Sequence, residues 1–247
     1  MDALVTGATG FLGGRLVRTL LGAGERVRVL VRDPARAEAL ASLGAEVVCG
    51  DLTDRAAVLA ATESCASVFH VGALSAPWGR REAFIGTNVE GTRNIIDGCI
   101  RGDVGRLVFV SSPSVVFDGN DMENATEAVP YPDHYETHYP ATKAIAEKHV
   151  LAANGPDLAT VALRPHLIWG PGDNHLAPRM VASAKAGRLV MIGGNTNKVD
   201  TVYVDNAAEA HILAAERLEP GSPVAGKAYF ISNGDPRPIW DIVNMMI

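Results

Sequence analysis

Long apolar runs are missing from this 247-residue chain. None approaches the ~20 residues of a membrane-spanning helix. The opening Met1-Asp2-Ala3-Leu4-Val5-Thr6 has neither the basic stretch nor the cleavage site of a secretory signal, so the expected compartment is the cytoplasm. An excess of positive charge is missing too. The 22 Lys and Arg stand against 28 Asp and Glu, a formal net charge of -6, and no general attraction to nucleic acid follows. Cysteine is scarce. Cys49, Cys65 and Cys99 are odd in number, widely spaced and in apolar surroundings, which fits buried free thiols better than disulfides or a metal site. Internal repeats and low-complexity linkers are absent as well.

What is present is 47% hydrophobic residues, enough to bury the core of one large α/β domain. Short β-branched runs at 3–6, 26–31, 46–49, 67–71, 106–111 and 160–163 alternate with helical patterns. Strands apolar on both faces belong in a parallel sheet, and the helices between them serve as right-handed crossovers. The expected fold is α/β, a doubly wound parallel sheet of the Rossmann type over residues 1–165.

After Arg164-Pro165 the rhythm changes. Gly170-Pro171-Gly172-Asp173 and Gly193-Gly194-Asn195 punctuate shorter elements, and 199–204 reads as a strand. Asp205 reads as the N-cap of a helix over 206–218. Residues 166–247 are expected to supply late sheet elements and part of a substrate-binding region. The apolar helical pattern at 238–247 stops without a C-cap signal, so this region reads as cut short.

The first strand runs into Thr6-Gly7-Ala8-Thr9-Gly10-Phe11-Leu12-Gly13. A turn whose backbone N–H groups approach a pyrophosphate has no room for a Cβ at Gly7, Gly10 or Gly13. The helix starting near Phe11 directs its free N–H groups and dipole at the anion. A simple tight turn would carry similar glycines, but the strand before and the amphipathic helix after favour a dinucleotide site. At the end of the second strand, an acidic side chain normally recognises the ribose of a cofactor lacking a 2′-phosphate. Arg32 stands there instead. Its guanidinium suits a phosphate, which favours NADP(H), while Asp33 keeps NAD(H) open. Arg36 is a candidate assistant one helical turn on. Asp51 in Gly50-Asp51-Leu52 is placed to accept from the adenine amino group, although a helix-starting turn would look much the same. In His70-Val71-Gly72-Ala73 the small residues let backbone lie against a cofactor, and His70 reads as a packed strand residue.

Tyr139 and Lys143 are four residues apart, so on a helix they share a face and converge on one carbonyl. The ammonium favours tyrosinate and brings a phenol of pKa ~10 closer to useful proton transfer.

With these motifs the chain resembles the extended short-chain dehydrogenases/reductases over essentially its whole length, and within them the 3β-hydroxysteroid dehydrogenase-like branch. The resemblance carries the glycine turn, Asp51 and Leu52 as cofactor contacts, and Tyr139 with Lys143 as the catalytic and cofactor-binding pair. It makes Ser112 the serine that orients the substrate carbonyl, with Ser114 as a rival and strand-end capping as the plain alternative. It makes Asn88 an active-site asparagine near the cofactor, against the ordinary reading of a helix-surface amide. Pro165 and His166, in the segment 164–173, become backbone contacts of the nicotinamide.

The implied reaction is NADPH-dependent reduction of a ketone, most similar to bacterial reduction of 2-alkyl-3-oxoalkanoates to β-hydroxy acids. An NAD(P)-dependent 3β-hydroxysteroid or sterol dehydrogenase is the alternative. A dinucleotide-sensing regulator is the non-enzyme reading, disfavoured because Ser112, Tyr139 and Lys143 occur together. The partner is a small hydrophobic ketone or β-keto acid, and the family pattern is a homodimer through helices near 82–101 and 139–153. His134 and His138 have the i,i+4 spacing of metal ligands, but Pro130, Pro132 and Pro140 make a loop the expectation and no metal is assigned. Trp78 reads equally as a wall of the substrate opening or as loop packing.

Overall fold

The computed structural model describes residues 2–173, 176–191 and 196–246. The second glycine punctuation, Gly193-Gly194-Asn195, lies outside the described residues. Among the described residues, eleven strands run in chain order: β1 Asp2–Thr6, β2 Arg26–Val31, β3 Glu46–Cys49, β4 Ser67–His70, β5 Arg106–Val110, β6 Ala159–Pro165, β7 Leu167–Trp169, β8 Lys198–Val199, β9 Thr201–Tyr203, β10 Lys227–Ile231 and β11 Arg237–Pro238. The helices are α1 Phe11–Gly22, α2 Glu38–Ala41, α3 Arg55–Thr62, α4 Arg81–Phe84, α5 Gly91–Arg101, α6 His138–Ala152, α7 Ala177–Lys185, α8 Val204–Arg217 and α9 Ile239–Met246. A π-helical turn, Ile85–Glu90, joins α4 to α5, and 3₁₀ turns occupy Pro34–Ala37 and Pro113–Val116.

The main sheet has seven parallel strands in the order β10-β6-β5-β4-β1-β2-β3. The chain winds outward in both directions from the β1/β4 pair, which makes the C-terminal ends of those strands the crevice of a doubly wound sheet. Each face closes over its own apolar layer. Leu16, Val17 and Leu20 of α1, with Ala207, Ala208 and Ala215 of α8, cover Val5, Val29, Val108 and Val161. On the opposite face, Val58 of α3, Ile95 and Cys99 of α5, and Ala146 and Val150 of α6 cover Leu4, Leu30, Val68, Leu107 and Ala162. Both layers exist because these strands are apolar on both sides, as the sequence pattern requires.

Several expectations change. The run 199–204 is not one strand: Lys198–Val199 pairs antiparallel with β11 and Thr201–Tyr203 pairs parallel with β7. Asp205 is not an N-cap, because α8 begins at Val204 and Tyr203 holds the cap position. Its carboxylate instead accepts from Arg15 of α1 at 2.5 Å. Cys65 and Cys99 are buried free thiols, but Cys49 is exposed, since β3 is the edge strand of the sheet. Edge strand β10 is a late sheet element contributed by the region after Arg164.

A buried ion pair interrupts the second layer near its β6 side. Arg164 of β6 and Glu147 of α6, 3% and 0% exposed, make a two-pronged ion pair at 2.6 and 3.1 Å. The Tyr131 hydroxyl donates to the same carboxylate at 2.6 Å. Removing one partner leaves an uncompensated buried charge. Glu147→Ala is therefore expected to lower unfolding free energy by about 3–5 kcal/mol in a denaturant titration. Replacing both charges with apolar residues of similar volume should recover most of that loss.

Candidate active site

The glycine turn sits at the β1/β4 crevice. Gly7 adopts φ +68°, and a Cβ there would lie 2.7 Å from Gly72 N, on the turn that follows β4. A Cβ at Gly13 would lie 2.2 Å from Gly7 O. Gly10 N–H closes the turn onto Gly7 O at 2.9 Å. Gly10 is also the N-cap of α1, and no side chain caps that end. Backbone bared on both sides of a crevice, beneath an uncapped helix N-terminus, fits a dinucleotide pyrophosphate. Ala8, Thr9, Gly10 and Phe11 line a groove of about 250 Å³ there, with Arg15, Arg18, Arg36 and the 171–172 turn. Arg18 was not singled out in the sequence, because only the packing of α1 against the 34–41 segment brings it beside Arg36.

Arg32 and Asp51 are brought together from β2 and β3, Nε to Oδ2 at 3.9 Å, with the Arg32 side chain 76% exposed. Asp51 accepts from Thr53 N and Thr53 Oγ1 at 2.8 and 2.7 Å. Partial burial would raise its pKa, but the Thr53 bonds and the Arg32 charge outweigh it and hold the carboxyl below the usual value. Leu52 packs against the Gly72 and Gly91 backbones, with its carbonyl accepting from Asn94 at 2.9 Å. Val71, Gly72 and Ala73 continue half-buried from β4. Pro165 closes β6, and His166 N–H donates to Ile231 O at 2.9 Å. The His166 ring stacks obliquely on Phe230 with centroids 5.6 Å apart.

Ser112 follows β5, and Tyr139 and Lys143 stand one turn apart on α6. Ser112 caps the 3₁₀ turn by accepting from Ser114 N at 3.3 Å, and its Oγ lies 2.8 Å from Ser114 Oγ. These bonds are the capping reading of Ser112. Burial raises the Tyr139 pKa, and a hydrogen bond with Ser112 opposes that rise. The phenol accordingly keeps its proton near neutrality, as a proton donor must. Lys143 is 2% exposed, donates to Val110 O at 2.5 Å and lies 3.8 Å from the Phe109 ring centroid. Burial depresses its pKa to about 7, with Glu147 pulling the other way.

Asn88 is not a surface amide: it is 1% exposed and sits in the π-helical turn. Its Oδ1 accepts from Leu74 N at 2.7 Å, while its Nδ2 donates to Leu74 O at 3.1 Å and Thr142 Oγ1 at 3.0 Å. The side chain thus ties the segment after β4 to the helix bearing Tyr139 and Lys143. His134 lies in irregular chain while His138 opens α6, so the two do not share a helix. Trp78 is 80% exposed and is not loop packing. Glu147, one further helical step from Lys143, was legible from the same four-residue spacing but carried no signal of its partner Arg164. A larger cavity, about 450 Å³, is bordered by Tyr131, Arg164, Lys227 and Tyr229 and by none of the catalytic candidates.

The buried amine has a measurable consequence. Its folded-state pKa, about 7, lies below the ordinary 10.5, so the unfolded chain binds this proton more tightly. The stability contributed by Lys143 falls as pH drops from about 10.5 to about 7 and levels off below that. Lys143→Met removes this penalty. Its melting temperature relative to the unaltered protein is expected to rise as pH is lowered from about 9 to about 7, then to hold steady to about 6, in matched thermal melts.

Comparison with known proteins agrees with this geometry. The 3-beta hydroxysteroid dehydrogenase/isomerase family matches residues 4–247. A 2-alkyl-3-oxoalkanoate reductase of Stenotrophomonas maltophilia is 48% identical over 249 residues, covering 100% of this chain and 75% of that enzyme. A human sterol-4-alpha-carboxylate 3-dehydrogenase, decarboxylating, is 35% identical over 246 residues, covering 98% of this chain and 65% of that enzyme. The crystal structure of a Thermus thermophilus UDP-glucose 4-epimerase in complex with NAD superposes with a TM-score of 0.80 at 26% identity, covering 100% of this chain and 82% of that one. The chain belongs to the 3-beta hydroxysteroid dehydrogenase/isomerase family and is an oxidoreductase.

Proposed function

We propose that this protein uses NADPH to reduce a ketone, a 2-alkyl-3-oxoalkanoate, to the secondary alcohol. The observation that supports the reading is the buried Tyr139 phenol hydrogen-bonded by Ser112, with Lys143 one helical turn further along α6 reaching the end of β5 at Val110 O. A nicotinamide cofactor held at that turn supplies the hydride. Ser112 Oγ donates to the carbonyl oxygen, and Tyr139 delivers its phenolic proton to the same oxygen as negative charge grows there. Lys143 stabilises the tyrosinate that remains, and Asn88 keeps the helix carrying both residues against the cofactor segment. Oxidation of the alcohol runs the same groups in reverse.

The keto-acid substrate is supported by the 48% identical reductase. Exposed Trp78 and Phe117, which follow β4 and β5 at the catalytic edge of the sheet, suit an apolar substrate. Arg32 at the end of β2 supports the choice of NADPH. Sterol oxidation is the second reading, supported by the human relative. Turnover of a 2-alkyl-3-keto acid against a sterol 3-alcohol separates the two. No helix among the described residues is long and apolar enough to cross a membrane. A cytoplasmic location and a homodimer complete the proposal, on the family resemblance.

Tyr139→Phe is expected to lower ketone reduction by about 10²- to 10⁴-fold while NADPH binding stays nearly unchanged, because only the positioned proton is lost. Single-turnover kinetics with near-normal rates would overturn the mechanism. Arg32→Ala should weaken NADPH roughly tenfold or more and NADH far less, since only the phosphorylated cofactor loses a charge-assisted contact. Equal losses in fluorescence titrations of both cofactors would assign the site to NAD(H).

A further inference from the structure

The sheet face that meets α5 and α6 carries a polar break at its catalytic end. Leu4, Val68 and Leu107 lie in register on that face, in the apolar layer. Two residues further along, the register runs Leu30, Thr6, His70, Phe109 and Ala162 across five strands. Thr6 and His70 are each 1% exposed. Polar groups at such depth need partners, and here every bond has a readable direction.

Thr92 Oγ1 lies 2.6 Å from Asn88 O, a pure acceptor, so the threonine hydroxyl donates there. His70 Nε2, 3.0 Å from Thr92 Oγ1, must then be the protonated ring nitrogen. Nδ1 is left as an acceptor and takes the Thr6 hydroxyl at 2.8 Å. Thr6 Oγ1 in turn accepts from Gly72 N–H at 3.0 Å. The chain therefore runs from the Gly72 turn through Thr6, His70 and Thr92 to Asn88. Beside it, the imidazole lies 5.6 Å from the Phe109 ring, whose face the Lys143 ammonium covers. Burial, reinforced by that ammonium, lowers the His70 pKa to about 3, so the ring stays neutral and keeps this single tautomer.

We propose that His70 is a positioning residue: a neutral imidazole clamped between Thr6 and Thr92 that holds the cofactor turns after β1 and β4 in place against the helices carrying Asn88 and Lys143. Simple core packing would ask only for an apolar ring of similar size. An apolar ring leaves the Thr6 hydroxyl without its acceptor, next to the Gly72 amide and the Gly7 backbone that face each other across the crevice. The proposal rests on the dinucleotide assignment of that crevice and goes beyond it by naming what sets its geometry.

The test is cofactor titration of the unaltered protein, His70→Phe, His70→Asn and Thr6→Val, with thermal melts and the pH profile of turnover at saturating cofactor. His70→Phe and Thr6→Val are expected to raise the dissociation constants of NADPH and NADH alike by roughly tenfold, because the turns serve the shared pyrophosphate. His70→Asn, whose Oδ1 can still accept from Thr6, should return to within about threefold of the unaltered protein. The pH profile should keep its shape, since Tyr139 and Lys143 are untouched.

Unchanged cofactor affinity in folded His70→Phe or Thr6→Val, or an Asn variant no better than Phe, would reduce His70 to packing. Should His70→Phe fail to fold, the smaller change Thr6→Val decides. Failure of the unaltered protein to bind either dinucleotide would instead overturn the cofactor assignment, and this proposal with it.

Discussion

Two backbones must nearly touch where β1 and β4 end, and the site is arranged around that contact. Gly7 faces Gly72, and Gly13 lies against Gly7 O, so closely that a single Cβ at any of the three would meet other backbone or packed atoms. The absence of side chains brings the start of α1, with its free N–H groups, over the crevice of the sheet. The same crevice is where the winding of the sheet reverses. The glycine turn and the helix bearing Tyr139 and Lys143 thereby come from opposite halves of the fold.

The chemistry depends on how α6 distributes charge along one face. Tyr139, Lys143 and Glu147 follow at four-residue intervals, and burial treats each differently. The phenol is pushed toward its neutral form, the amine is pushed toward losing its proton, and the Glu147 carboxylate is bound in two places by Arg164. Glu147 also steadies the Lys143 cation from one helical turn away. A structural ion pair and the buried Lys143 amine are thus parts of one electrostatic column. Stability is given up at Lys143, whose amine is held out of water.

The sequence by itself determined the parts that depend on local spacing. A glycine turn after a strand, a Tyr and a Lys on one helical face, and strands apolar on both sides each follow from backbone sterics or periodicity within a few residues. Those features identify the parallel sheet, and they single out the proposed cofactor turn and the proposed catalytic pair. Asp205 shows the limit of such reasoning: it has the right type and place for an N-cap, yet a guanidinium 190 positions away draws it elsewhere.

Only the tertiary structure decided what required distant residues to meet. Glu147 finds Arg164 across 17 positions, His70 finds Thr6 across 64, and Asn88 finds Thr142 across 54. The run 199–204 was divided because its two halves reach different partner strands, and Cys49 was exposed because β3 became an edge. A buried polar group is stable only beside its partner, and local periodicity holds no information on which remote group that will be. The packing of helices on the two faces of the sheet makes that choice.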